Sequence, residues 1–187
     1  MKTTEALYGD VYFVRHGDYL TPPYGSPANT PVLTAAGRQQ IQGSAVMLQS
    51  VIEKQPRLLT STEKRAVESA EIIARVMGIV PSSIGHSELM AVAGNDHRVV
   101  SDIRRLIRAS VLEAGMDWDQ DTEALIVVAH QPLVTSVEYD GADSDSRRGV
   151  AHGHVAQADL EAWVPHAYRA YDGLIPDYEA MLERAET

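Results

Sequence analysis

The sequence predicts an α/β domain, a three-layer α/β/α sandwich around a mostly parallel central sheet. Three observations carry that expectation. Two uninterrupted apolar runs, VYFV at 11–14 and ALIVVA at 124–129, have the length and composition of strands covered on both faces. Segments with apolar residues at helical spacing alternate with such runs. A chain of 187 residues that is 44% apolar can bury one sizeable core but is too short for two full-sized domains.

Taken in order, the first strand ends in Arg15, His16 and Gly17, and a proline-rich loop, DYLTPPYGSPANTP, follows. A helix is predicted over 35–53, with Ile41, Ala45, Leu48 and Ile52 on one face. Gly43 inside it costs about 1 kcal/mol relative to alanine. RLLTS at 57–61 reads as a second strand, and Ser61 or Thr62 could cap the helix after it, which carries Ala66, Ala70, Ile73 and Met77. A third helix over 96–114 would bury Val99, Ile103, Leu106, Ile107 and Val111. The 124–129 run leads into His130 and Gln131, with Pro132 where a first helical turn tolerates proline. GHVAQADLEAWV at 153–164 supplies a late strand.

No repeat or domain-scale linker divides the chain, so residues 1–187 read as a single domain with a tyrosine-rich C-terminal extension from about residue 163. Pro165 and Pro176 mark helix starts in that extension. It is expected to pack on the domain's own flank, with a homodimer contact as the alternative.

The formal net charge of −10 argues against nucleic acid as a partner. No stretch reaches the roughly 20 apolar residues of a membrane helix, and the first ten residues lack the apolar core of a signal peptide. There is no cysteine, which removes disulfides, thiolate metal sites and cysteine nucleophiles together. A cytoplasmic location is therefore the expectation. An anionic ligand would need a pocket that locally reverses the sign of the charge.

Such a pocket is predicted where three strands end. Ligands of open α/β sheets bind beyond the carboxyl ends of the strands. Arg15 and His16 close the first strand, Arg65 follows the second in the first turn of a helix, and His130 closes the third. If the strands are parallel, all of them lie on one edge. Two arginines can donate paired hydrogen bonds to a phosphoryl group, and a helix N-terminus near residues 61–65 adds N–H groups. Gly17, without a side chain, would let a phosphate approach the backbone closely. One neutral imidazole can attack phosphorus while a second, protonated, stabilises the equatorial oxygens. Two arginines and a protonated His130 would bring three positive charges to a dianion, so neither metal nor other cofactor is required.

VYFVRHGD resembles the signature of the histidine phosphatase superfamily, the phosphoglycerate mutase-like fold. In the family's order, TPVLTAAGRQQ (30–40) looks like its pLT..G..Q segment and TSTEKRAVESAEIIA (60–74) like its SP..RA.QTA segment. VVAHQPLV (127–134) looks like its second-histidine strand. The resemblance implies that His16 is the nucleophile that becomes phosphorylated, with Arg15, Arg65 and His130 holding the phosphate. It further implies a phosphatase of phosphomonoesters or phosphoramidates, acting on a phosphorylated small molecule or a phosphoprotein.

There are departures. Thr62 stands where the family's proline would follow Ser61, and Pro22 stands at the offset of the mutase-type asparagine. SELMAVAGND (87–96) followed by AHQPLV is most similar to the small phosphohistidine phosphatases. Glu88 lies where mutase-like members carry an acidic proton donor; Asp18 is a rival, and the third alternative is no dedicated acid, since a phosphohistidine or acyl-phosphate substrate needs less leaving-group help than an alkyl phosphate. The alternatives to a phosphatase are a mutase-like phosphotransferase and a non-catalytic phospho-ligand or protein-binding module on the same fold. Arg147 and Arg148 read as loop solubilisers or as substrate contacts. His152 and His154 share a face of an extended segment, but no carboxylate–histidine set completes a metal site around them. His86 and His97 read as surface residues.

Overall fold

In the computed structural model, which describes residues 10–27, 32–95, 103–138, 150–158, 160 and 176–187, the two apolar runs become neighbouring parallel strands. These are β1 (Val11–Arg15) and β4 (Glu123–Ala129), in a register that sets Arg15 beside Ala129. β2 (Gln55–Ser61) flanks β4 in parallel, with Thr60 beside Val128, and β3 (Gly85–Ser87) pairs in parallel with β2. β5 (Val155–Ala158) runs antiparallel along the other side of β1. The sheet order is β3-β2-β4-β1-β5. Because β1, β2 and β4 are parallel and in step, their carboxyl ends finish on one edge.

Successive strand residues point to opposite faces, and here both faces are covered. Tyr12, Val14, Leu58, Ile126 and Val128 pack under α1 (Ala35–Val51) and α2 (Lys64–Met77). Val11, Phe13, Leu59, Leu125 and Val127 face the other layer. That layer contains α3 (Glu88–Asn95), α4 (Ile103–Glu113), α5 (Gln131–Glu138) and α6 (Pro176–Ala185). Double coverage is why the strands read as unbroken apolar runs rather than alternating ones.

Several boundaries differ from expectation. α1 stops at Val51, with Ile52 extended at its C-cap. Neither Ser61 nor Thr62 caps α2; Glu63 occupies the N-cap, without a side-chain cap bond. Ser61 Oγ instead pairs with His130, and the Thr62 hydroxyl donates to Glu88. Residues 96–102 of the predicted third helix, Val99 among them, lie outside the described residues. Ile103, Leu106, Ile107 and Val111 are buried in α4 as expected. The late strand is antiparallel, whereas β3 and α3 had no strong periodicity to announce them. Of the C-terminal extension, residues 161–175 with Pro165 lie outside the described residues. α6 starts at Pro176 and buries Leu182 in the core, and Arg105 donates to both carboxylate oxygens of Glu186 at 2.9 and 3.2 Å.

One contact couples α1 to the end of β1. A Cβ on Gly17 would lie 2.5 Å from the carbonyl oxygen of Gly37, and a Cβ on Gly37 only 2.1 Å from that of Asp18. Thr34 fixes this approach: its hydroxyl caps α1 by accepting from Gly37 N–H at 2.9 Å and donates to the Asp18 carboxylate at 2.9 Å. Gly37→Ala must push two backbones apart and is expected to cost about 1–3 kcal/mol. At Gly43 an added Cβ meets nothing within 4 Å, so Gly43→Ala should stabilise by about 0.5–1 kcal/mol. Urea unfolding midpoints check both, and an unimpaired Gly37→Ala protein would contradict the close approach.

Candidate active site

Beyond β1 the chain turns sharply, and each polar group of the turn has a partner. His16 N–H donates to the carbonyl of Ala129 at 3.1 Å, tying the turn to the end of β4. Gly17 N–H donates to Ser69 Oγ at 3.1 Å, and that hydroxyl donates to the Arg65 carbonyl at 2.7 Å. The expectation that Gly17 leaves its backbone open to a phosphate is therefore corrected. Its N–H is spent on α2, and its lack of a side chain serves the contact with Gly37.

Arg65, the second residue of α2, brings the three strand ends together. Its Nε donates to His16 Nε2 at 3.2 Å, its Nη2 donates to His130 Nδ1 at 3.2 Å, and its Nη1 pairs with Glu63 at 3.1 Å. These bonds define both imidazoles. His16 Nε2 accepts, so Nδ1 carries the proton and donates to the Gly17 carbonyl at 2.9 Å. His130 Nδ1 accepts, so Nε2 carries the proton and donates to Ser61 Oγ at 2.8 Å. The two rings lie 5.2 Å apart. Tyr19 stands edge-on to His16 at 5.1 Å, with the Arg65 guanidinium 4.9 Å from its ring centroid, a cation–π contact. Tyr24, the other loop tyrosine, is fully exposed.

Arg15 reaches the same cluster from the opposite side. Its Nη1 donates to the Val150 carbonyl, and its Nη2 donates to His152 Nε2 at 2.9 Å. His152 had been set aside with His154 as an incomplete metal pair, yet its ring lies 5.7 Å from that of His16. The signal that could have placed it is the direction of β5. A strand antiparallel to β1 begins where β1 ends, so the residues just before β5 must lie beside Arg15 and His16. Among the described residues, no group of three or more histidine or acidic side chains could hold a metal ion.

Burial dominates the electrostatics. His16 and His130 are almost completely buried. Desolvation, reinforced by the Arg65 and Arg15 charges, lowers the pKa of His16 to about 4 even though the Gly17 hydrogen bond opposes it. The same two effects, with His16 as a further neighbour, lower His130 to about 3. The protonated His130 expected opposite a bound dianion is therefore not its resting form: in the free protein burial and the Arg65 charge favour the neutral ring. At neutral pH both imidazoles are uncharged, and the positive charge facing them sits on Arg15 and Arg65.

The two candidate acids lie on different sides of the cluster. Glu88, the first residue of α3, accepts from the Thr62 hydroxyl at 2.5 Å and is exposed. The Asp18 carboxylate accepts from Thr34, with its other oxygen 3.9 Å from His152 Nδ1. His86 is exposed on β3, whereas His97, Arg147 and Arg148 lie outside the described residues.

The sequence profile described as the histidine phosphatase superfamily (branch 1) matches residues 11–90, the stretch that supplies Arg15, His16 and Arg65. Over that stretch the chain is similar to the histidine phosphatase superfamily. Its fold is similar to that of the protein histidine phosphatase SixA complexed with tungstate: TM-score 0.53, 20% identity, 79% of this chain and 86% of that one covered. The SixA protein of Agrobacterium tumefaciens matches with a TM-score of 0.52 at 16% identity, covering 80% of this chain and 90% of that one. A mycobacterial glucosyl-3-phosphoglycerate phosphatase matches with a TM-score of 0.50 at 16% identity, covering 80% and 89%. No curated protein matches the chain by sequence.

The depressed imidazole values have a measurable consequence. Both folded-state pKa values lie below the unfolded value near 6.5, so the unfolded chain binds more protons as the pH falls through that range. These two residues should therefore contribute a loss of stability from about pH 6.5 down toward pH 4 for His16 and pH 3 for His130. In ring-labelled NMR spectra, His16 and His130 should show no titration between pH 5 and 8; a midpoint near 6.5 for either would contradict the buried, neutral site.

Proposed function

We propose that this protein is a metal-independent phosphatase that works through a phosphohistidine on His16. The observation that supports this most is the tautomer of His16. Its Nδ1 proton is held by a backbone carbonyl, so the lone pair lies on Nε2, which faces Arg65 and the second histidine. A binding module has no need of a lone pair aimed among cationic donors.

An arriving phosphoryl dianion would take the N–H groups of Arg65 and Arg15, releasing His16 Nε2 from its bond to Arg65. In the first step the Nε2–P bond forms and the bond from phosphorus to the leaving oxygen breaks. That oxygen takes a proton from Asp18, from Glu88, or from water where the leaving group is good. In the second step a water oxygen bonds to phosphorus, the N–P bond breaks and the lone pair returns to Nε2, while the water's proton passes to the group that gave one to the leaving oxygen, Asp18, Glu88 or solvent water. A dianion beside His130 raises its proton affinity, so binding would draw a proton onto Nδ1, turned toward the phosphoryl oxygens. The third positive charge would thus arrive with the substrate. Two guanidiniums and that imidazolium match the developing charge without a divalent ion. The substrate class is a phosphomonoester or phosphoramidate on a small molecule or protein, and a cytoplasmic setting suits it; among the described residues no helix is long and apolar enough to cross a membrane.

Hydrolysis of an aryl phosphate by the purified protein tests this reading. Activity should survive excess EDTA, and vanadate should inhibit competitively. Removing the nucleophile by His16→Ala should lower turnover by several orders of magnitude, on the order of 10³ or more. Arg65→Ala should raise KM and lower kcat together, since Arg65 serves both binding and the reacting centre. Full activity in the Arg65→Ala protein, or activity lost to EDTA and restored by a divalent ion, would overturn it.

A further inference from the structure

The turn before β5 is fastened to the pocket floor with unusual thoroughness. Arg15 N–H donates to the His154 carbonyl at 2.9 Å, and Gly153 N–H donates back to the Arg15 carbonyl at 3.0 Å. His154 N–H closes the turn onto the Ala151 carbonyl at 3.1 Å. The Ser44 hydroxyl of α1 donates to the Gly153 carbonyl at 2.5 Å. Gly153 has φ +73°, and a Cβ there would press on Gln40 and Ser44 at 3.1 Å, so the position favours glycine on both counts. Every one of these bonds acts on the backbone. Their joint effect is to hold the side chain between them, His152, against Arg15.

We propose that His152 is a positioning residue: as the acceptor of a hydrogen bond from Arg15 Nη2, it fixes the guanidinium fork on which the phosphoryl group is held. The inference rests on the phosphatase reading only in that the held group is a phosphoryl group. An arginine has five N–H donors. Val150 takes one from Nη1 and His152 takes one from Nη2, which leaves one on each terminal nitrogen, the number a two-pronged grip on phosphate requires. A side chain anchored at both terminal nitrogens has less rotational freedom to lose on binding, and preorganisation of this kind appears as affinity. The imidazole must be neutral to accept, since an imidazolium would set N–H against N–H. Burial and the Arg15 charge lower its pKa against the opposing pull of Asp18, which favours that form. Besides Arg15, His152 meets the rings of His16 and Tyr19, at 5.7 and 6.3 Å, and its Nδ1 lies 3.9 Å from the Asp18 carboxylate.

The test compares His152→Phe, which keeps a ring but has no acceptor, with His152→Gln, whose amide oxygen can take the same hydrogen bond. Vanadate binding is measured by calorimetry and aryl phosphate turnover by steady-state kinetics, with circular dichroism and urea midpoints confirming the fold. His152→Phe should weaken vanadate binding about tenfold, the loss of one hydrogen bond to a charged group. KM should rise by a similar factor with kcat changed less, and His152→Gln should stay within about threefold of wild type. In an Arg15→Ala background, His152→Phe should weaken binding no further, because the two residues act through one group. Binding by a folded His152→Phe protein equal to wild type would overturn the inference. So would a folded His152→Gln protein as impaired as His152→Phe, or full additivity with Arg15→Ala. A wild-type protein that binds vanadate but turns over no substrate would fail the phosphatase reading alone, and the binding measurements would still decide the role of His152. Failure of wild type to bind vanadate at all would remove both.

Discussion

Arg65 donates to two imidazoles at once, and most of the pocket follows from that requirement. Each ring must present a lone pair to the guanidinium, so each must be neutral and must place its own proton elsewhere. His16 finds the Gly17 carbonyl and His130 finds Ser61 Oγ. The guanidinium is held in turn by Glu63 and by the face of Tyr19. The Ser61 hydroxyl serves both ends of this arrangement: it accepts from His130 Nε2 and, at 3.3 Å, from the backbone N–H of Glu63, the N-cap of α2.

The same arrangement reconciles an acidic protein with an anionic ligand. A net charge of −10 spread over the surface repels polyanions at a distance, whereas the pocket concentrates two guanidiniums beside buried, uncharged rings. Fields are stronger where water is excluded, so the local sign prevails at contact range. The neutral histidines keep this concentration tolerable before a ligand arrives: with both charged, four positive groups would share one small site. Their depressed pKa values record that repulsion together with burial.

Much of this was legible in the sequence because parallel strands constrain what their ends can do. VYFV and ALIVVA could only be buried strands, and once they are parallel, Arg15, His16 and His130 share an edge. The short polar β3 has three residues and no apolar pattern, so periodicity could not reveal it. The direction of β5 was equally hidden, since an alternating strand reads the same both ways. That ambiguity concealed His152, whose neighbours are set by strand direction alone. The resting charge of His130 was hidden for a related reason: residue type announces an ionisable ring, but only packing fixes how little water reaches it. Gly17 likewise showed its permissiveness in sequence, but not that a second glycine on α1 would use it.

The central claim is that Nε2 of His16 acts as a nucleophile, and the direct measurement is the covalent species itself. Brief exposure to an aryl phosphate labelled in its phosphoryl group, quenched in alkali, should leave label on the peptide that spans residues 14–16. A phosphoramidate survives base and is lost in acid, and fragmentation should place the phosphoryl group on His16. Stable label on a hydroxyl residue, label undiminished in the His16→Ala protein, or turnover with no trapped intermediate under rapid quench would contradict the account.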